Sequence, residues 1–360
     1  MKPRRPRRWL RRLGIPALVV LVLLMASALA NVALEAREKA TIPSYGERIA
    51  VAGGWLNVVR NGNGSGAGRQ GPPIVLLSGL GTAAPGLDFA PLMRELHDFD
   101  VLVVEGFGYG YSDLEAKART NENISNELHE ALSKLQLRQP YVLAGHSIAG
   151  FYLLDYANRY RPEVAAVVGI DATIPKPGDH PVAEPEPGIN WVKLLAATGL
   201  VRVAAAVAPG IFDPDSHAYS DEELQRMRTM MLWNLGNPAV ADETGRIGNN
   251  AAALRGATYP EDLPVLAFIA DEGDGRAAAK TAAAEELLKN VTLHQVLPLP
   301  GGHYLHWTQA GRMAEEIRRF LAPADLYYPM TWSFPRIRTA TTTPEAAVST
   351  ATAAMAAGMP

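Results

Sequence analysis

One serine stands where its neighbours could make it a nucleophile. The apolar run Val142-Leu143-Ala144 is broken by Gly145, His146 and Ser147, and apolar residues resume behind it at helical spacing. That pattern reads as a strand, a one-residue corner and a helix, with the serine hydroxyl projected clear of a sheet edge. Small residues are needed around such a corner because strand and helix crowd there, and Gly145 and Ala149 flank Ser147 at two residues on either side. A serine hydroxyl attacks poorly at neutral pH. It needs a base, an acid to hold the base, and two N–H groups where negative charge develops.

Candidates for each lie elsewhere in the chain. The base is expected at His303, where Gly301-Gly302 lets a loop turn after a strand; His306, three residues on, is expected to play a supporting or surface part. His146 adjoins the serine, but neighbouring side chains diverge at a sharp turn, so it reads as a packing or hydrogen-bonding residue. The two N–H donors are expected at Ile148, just past the serine, and at Leu80 in the loop Ser78-Gly79-Leu80-Gly81. The acid is expected at Asp274, with Asp171 and Asp271 as alternatives. Asp271 and Asp274 follow the apolar run Val265–Ala270, and Asp171 ends the run Val164–Ile170. Each could instead be a loop-capping aspartate, which is common at strand ends.

The elements that must position these residues can be read from apolar runs. Pro73–Ser78, Asp100–Glu105, Val142–Ala144, Val164–Ile170 and Val265–Ala270 are short and almost wholly apolar, as strands covered on both faces are. A further strand is expected at Val291–Val296. Helical patterns at Asn121–Leu137, Ala277–Lys289 and Arg312–Leu321 alternate with them, which predicts an α/β domain with a mostly parallel sheet and helices on both faces. An early hairpin is expected around Gly53-Gly54. The rhythm breaks at about 172–262, where a proline-rich piece precedes helical stretches near Trp191–Val207 and Asp221–Leu235. An insertion of this length is expected to act as a lid. Its Trp191, Leu194, Met227, Met230, Met231 and Trp233 are expected mostly to glue it down, with a minority lining an apolar pocket.

Charge and composition narrow the function. Seven of the 34 basic residues lie in residues 1–12, which hold none of the 37 acids, so the remainder carries a net charge of −10. Such a surface is a poor match for nucleic-acid phosphates. Cysteine is absent, the eight histidines are scattered, and no His-Glu-x-x-His helix occurs, so neither a metal nor a cofactor is expected. Residues 13–34 hold no charge, enough for the roughly 20 residues that cross a bilayer. With the arginines before them cytoplasmic, the rest of the chain would lie outside the cell membrane. A signal peptide cut near Ala28 or Ala30 is the alternative, giving a secreted protein. Residues 35–44 read as a linker, 45–322 as the folded domain, and the Ala/Thr/Pro-rich 323–360 as a disordered tail.

Taken together and in order, Ser78-Gly79-Leu80-Gly81, the run from Glu105 to Asp113, Gly145–Gly150 and Gly302-His303 resemble the α/β-hydrolase fold superfamily. The resemblance implies a serine esterase or lipase-like enzyme with a lid between its sixth and seventh strands, cleaving an ester, thioester or amide through an acyl-enzyme. A small substrate with an apolar moiety fits the insertion's composition. A non-catalytic ligand-binding member of the fold and a cofactor-free haloperoxidase-like activity are the alternatives. Relatives that open epoxides or haloalkanes carry aspartate at the corner, where this chain has serine. Two departures stand out: Ser78 replaces a common histidine, and Glu105 a common aspartate.

Overall fold

The computed structural model describes residues 8–62, 71–185 and 188–322; the expected tail lies outside them, as do residues 1–7. In chain order the elements are α1 (Arg8–Thr41), β1 (Glu47–Val51), β2 (Gly54–Arg60), β3 (Ile74–Leu77), α2 (Pro85–Asp88), α3 (Ala90–Glu95), β4 (Val101–Glu105), α4 (Asn121–Lys134), β5 (Tyr141–His146), α5 (Ala149–Arg159) and β6 (Val164–Ile170). Then come α6 (Trp191–Ala197), α7 (Leu200–Val207), α8 (Asp221–Asn234), α9 (Pro238–Ala253), β7 (Val265–Asp271), α10 (Arg276–Leu288), β8 (His294–Pro300), α11 (Leu305–Thr308) and α12 (Ala310–Leu321).

Eight strands form one sheet in the order β1-β2-β4-β3-β5-β6-β7-β8, with β3 to β8 mutually parallel and β1 and β2 antiparallel. Strand side chains alternate between faces. Val75 and Leu77 accordingly join the core under α4 and α5, with Leu128, Leu132 and Leu153, while Ile74 and Leu76 join the core under α3 and α12, with Leu92, Ile317 and Phe320. Truncating one such leucine to alanine costs about 2–5 kcal/mol. Because β3 lies between β4 and β5, the chain reverses its direction across the sheet there, and a crevice opens beyond the strand ends. The pairing of Leu77 with Gly145 sets the loop after β3 beside the corner that carries Ser147.

Three departures from the sequence reading have physical causes. The linker expected at 35–44 is largely helix: α1 runs on to Thr41, supported by the Glu35–Lys39 pair at 2.6 Å, before Pro43. The last strand begins at His294 rather than Val291 and runs through Pro298 and Pro300, which an edge strand tolerates because it pairs on one side only. The insertion between β6 and β7 holds four helices: Gly199, at φ 78°, divides 191–207 into α6 and α7, and α9 was not anticipated.

Candidate active site

Ser147 sits at φ 55°, a left-handed conformation that non-glycine residues seldom adopt. Packing holds it there. A Cβ on Gly145 would stand 2.9 Å from the Cβ of Ala149, so the corner closes only with a small residue at 145. The glycine one place beyond Ala149 is equally fixed, since a Cβ on Gly150 would meet the carbonyl oxygen of Thr173 at 2.2 Å, where the chain leaves β6 for the insertion.

The serine Oγ lies 2.8 Å from His303 Nε2, and His303 Nδ1 lies 2.6 Å from Asp171 Oδ2. A hydroxyl bonded to an imidazole whose far nitrogen faces a buried carboxylate is an arrangement suited to taking a proton from serine and returning it to a leaving group. Asp171 is buried, at φ 41° just beyond β6, and also accepts the N–H of Ala270 at 3.0 Å and the Lys280 ammonium at 3.0 and 2.8 Å. Burial works against its ionisation, but the His303 and Lys280 bonds and the Ala270 N–H outweigh that and hold its carboxyl down at about 2.

Of the three expected acids, Asp171 is the one that meets His303, and Asp274, expected first, does not. Asp274 faces solvent and caps its own loop, taking the Arg276 N–H at 2.9 Å and pairing with the Arg276 guanidinium. Asp271 accepts the N–H of Gly273 at 3.0 Å. Sheet order explains the choice: β6 adjoins β5, whereas the loop after β7 starts one strand further away.

The loop after β3 passes directly over the corner. A Cβ on Gly79 would stand 2.7 Å from His146 Nδ1 and 3.1 Å from Ser147 Cβ. The loop turns at Gly81, with φ 75°, and Gly81 donates its N–H to the Tyr109 hydroxyl at 3.3 Å. Among the described residues, the N–H groups of Leu80 and Ile148 bond to no protein acceptor, as donors reserved for a ligand oxygen would.

Several supports escaped the sequence reading because only the fold brings them together. The Tyr109 hydroxyl donates to Glu243 Oε2 at 2.8 Å, and Tyr152 also bonds Glu243, so α9 of the insertion is tied to the loop over the corner. Burial pushes the Glu243 carboxyl up, against the bonds from Tyr152 and Tyr109. Lys280 had no local signal at all. His146 does hydrogen-bond structurally: its Nε2–H donates to the His303 carbonyl at 3.0 Å, and burial, followed by the neighbouring His306 and His303, depresses its pKa to about 2 and keeps it neutral. His306 is buried rather than at the surface, 2.7 Å from Asp88, which also accepts the Trp307 indole N–H at 2.8 Å. In the insertion, Met230 and Trp233 pack with Ala84 beyond the loop after β3, while Trp191 and Leu194 stand exposed, away from any core. Among the described residues no cluster of metal-ligating side chains occurs.

The chain is similar to known proteins in the same region. Over 239 residues it is 25% identical to the uncharacterized protein YbdG of Bacillus subtilis (strain 168), covering 64% of this chain and 70% of that one. It is 25% identical over 169 residues to a (lyso)-N-acylphosphatidylethanolamine lipase of Bos taurus, a match spanning 41% of this chain and 46% of that protein. Among solved structures, the epoxide hydrolase VrEH1 of Vigna radiata superposes with a TM-score of 0.57 at 15% identity, over 77% of this chain and 97% of that one, a likeness of fold. Residues 72–310 match the family model described as the alpha/beta hydrolase fold, which takes in β3, the Ser147 corner, the insertion and His303. On that match and on its sheet, the chain belongs to the α/β-hydrolase fold family.

Proposed function

We propose that the chain is a serine hydrolase of the carboxylesterase or lipase-like type, acting through an acyl-enzyme on Ser147. The observation that carries this reading is the continuous hydrogen-bonded series Ser147–His303–Asp171 beside two free N–H groups. Ser147 Oγ adds to the ester carbonyl as His303 Nε2 takes its proton. The N–H groups of Leu80 and Ile148 hold the resulting oxyanion, and His303 returns the proton to the departing alcohol. Water, activated by His303 in turn, then releases the acid and frees Ser147. Asp171 keeps the His303 ring oriented and balances its charge. The helices of 172–262 serve as the lid. A p-nitrophenyl ester series on the full chain tests this: turnover is expected, with Ser147→Ala lower by at least about 10⁴-fold in kcat. Equal turnover by wild type and Ser147→Ala would reject the reading.

The loop over the corner should be sensitive to the insertion. Tyr109→Phe removes the acceptor of the Gly81 N–H and one of the bonds to Glu243. Because Tyr109 acts only through the loop, kcat is expected to fall about tenfold or less with KM little changed, below the loss caused by deleting a direct oxyanion donor.

We also propose that α1 anchors the chain in the cell membrane with the hydrolase domain outside. Gly14–Thr41 holds a helix long and apolar enough to cross a bilayer, and its apolar side chains are exposed. A peptide map of the membrane-bound native protein should contain residues 13–34. Recovery only of chains that start after Ala28 or Ala30 would favour cleavage and secretion.

A further inference from the structure

Outside α1, exposed large apolar side chains concentrate in one place. Nine of them lie between Ile189 and Ile211, on α6, α7 and the turns flanking them, against four on the rest of the described residues. Trp191, Val207 and Ile211 are each more than 70% exposed, at 71%, 80% and 77%. Soluble surfaces seldom collect such residues without something to cover them. The same stretch carries no acid and one exposed base, Lys193, on a chain whose net charge beyond Arg12 is −10; its other base, Arg202, is turned towards α1.

Its position says what the cover is. The corner between α6 and α7 packs on α1: a Cβ on Gly199 would lie 2.8 Å from the Ser27 carbonyl oxygen and 3.1 Å from Asn31 Cβ. Arg202 donates to Asn31 Oδ1 at 2.8 Å and to Glu38 Oε1 at 2.5 Å, and Glu38 also accepts the Trp233 indole N–H at 2.9 Å. The half-buried positions Leu24, Ser27, Ala28, Asn31, Glu35 and Glu38 recur at helical spacing along this seam. Ser27 and Asn31 belong to the uncharged stretch 13–34, and the first acid after it is Glu35. At 1.5 Å per residue the contact at Ser27 lies about 12 Å below that charge along the helix axis. Whatever surrounds the outer end of α1 therefore surrounds the exposed apolar side of α6 and α7.

We propose that the α6–α7 corner is a second membrane contact, seated in the headgroup and upper acyl region of the leaflet from which α1 emerges. This rests on the reading of α1 as an uncleaved anchor, and it deepens the proposed hydrolase function: the insertion that roofs the Ser147 crevice stands on lipid, so the esters that reach it come from the bilayer. Interfacial helices bind in this way, with an apolar face about 5–10 Å deep and basic residues at the rim.

The chain has no cysteine, so single substitutions report cleanly. Leu195→Cys, Val207→Cys, Val20→Cys and the exposed Asn290→Cys would each be labelled with nitrobenzoxadiazole. Each full-length chain would then be placed in nanodiscs of phosphatidylethanolamine and phosphatidylglycerol. Labels at 195 and 207 are expected to be blue-shifted and quenched at least twofold by lipids carrying doxyl groups near the headgroup, and label 290 by neither. If 195 and 207 behave like 290 while label 20 is quenched by deep doxyl lipids, the corner is in water and the inference fails with the anchor intact. If label 20 also escapes quenching, both fail. Protection of 195 and 207 from aqueous iodide without doxyl quenching would assign the face to a second copy or another protein, and would likewise overturn the proposal.

Discussion

Asp171→Asn is expected to lower ester turnover by about 10³–10⁴-fold, whereas Asp274→Asn stays within about twofold of wild type. The contrast follows from what each carboxylate touches. Asp171 Oδ2 faces His303 Nδ1 at 2.6 Å. An asparagine there presents an N–H or a weaker dipole, which favours the tautomer that cannot accept the serine proton and leaves the imidazolium without a counter-charge. Among the described residues, Asp274 holds only Arg276 and the turn before α10. If Asp274→Asn were the inactive variant, the loop after β7 would have to rearrange in the working enzyme, and the assignment of Asp171 would fall. The same residue gives a signature in stability. Its carboxyl is held at about 2, below the ordinary 3.8. A depressed carboxylate stabilises the fold above its unfolded value and loses that contribution as pH falls through the folded one. Wild-type Tm should therefore drop between pH about 4 and about 2 by more than that of Asp171→Asn; parallel Tm profiles would contradict this.

Gly110→Ala is expected to cost more than about 4 kcal/mol, enough to prevent folding in many domains of this size. A Cβ there would stand 1.7 Å from Glu105 Oε2, and Gly110 has φ 53°. Glu105 cannot step aside. It is fully buried and accepts Tyr45 Oη at 2.9 Å, Asn57 Nδ2 at 2.8 Å, the Gly86 N–H at 3.0 Å and the Tyr111 N–H at 2.9 Å. Burial raises the pKa of that carboxyl despite those four bonds, and displacing it would leave a buried carboxyl and its four donors without partners. Gly178→Ala is the matched comparison, since nothing lies within 4 Å of its added Cβ, and its effect should stay within about 0.5 kcal/mol. Chemical denaturation of the two variants decides the matter; equal stabilities would mean that the Glu105 network yields.

Residues whose conformation depends on near neighbours were readable from the sequence. The corner at Ser147 is written in Gly145 and Ala149, and the turn into His303 in Gly301-Gly302. The buried strands announced themselves as apolar runs, so fold class and strand sequence could be read directly. Which aspartate meets His303 could not be, because Asp171, Asp271 and Asp274 all lie just past strand ends. Only the lateral order of β5, β6 and β7, a property of the whole sheet, selects among them. Lys280 and Glu243 were invisible for the same reason: each meets its partner across more than 90 residues of chain. Helix α9 was hidden by Gly245, Gly248, Asn249 and Asn250, poor helix formers retained for contact. A Cβ on Gly245 would meet Pro185 at 2.7 Å, and one on Gly248 would meet Val182 at 3.1 Å. Its start did carry a signal, Asn237-Pro238, whose asparagine side chain caps the Val240 N–H at 3.0 Å.

The most direct test of the central claim is labelling of the full chain with a fluorophosphonate, followed by peptide mapping of the adduct. The adduct is expected on Ser147, absent from Ser147→Ala, and formed at least about 10³-fold more slowly in His303→Ala, since the probe reacts with a hydroxyl only when a base takes its proton. An adduct on another residue, or a rate unchanged in His303→Ala, would contradict the proposal that Ser147 and His303 work as one unit.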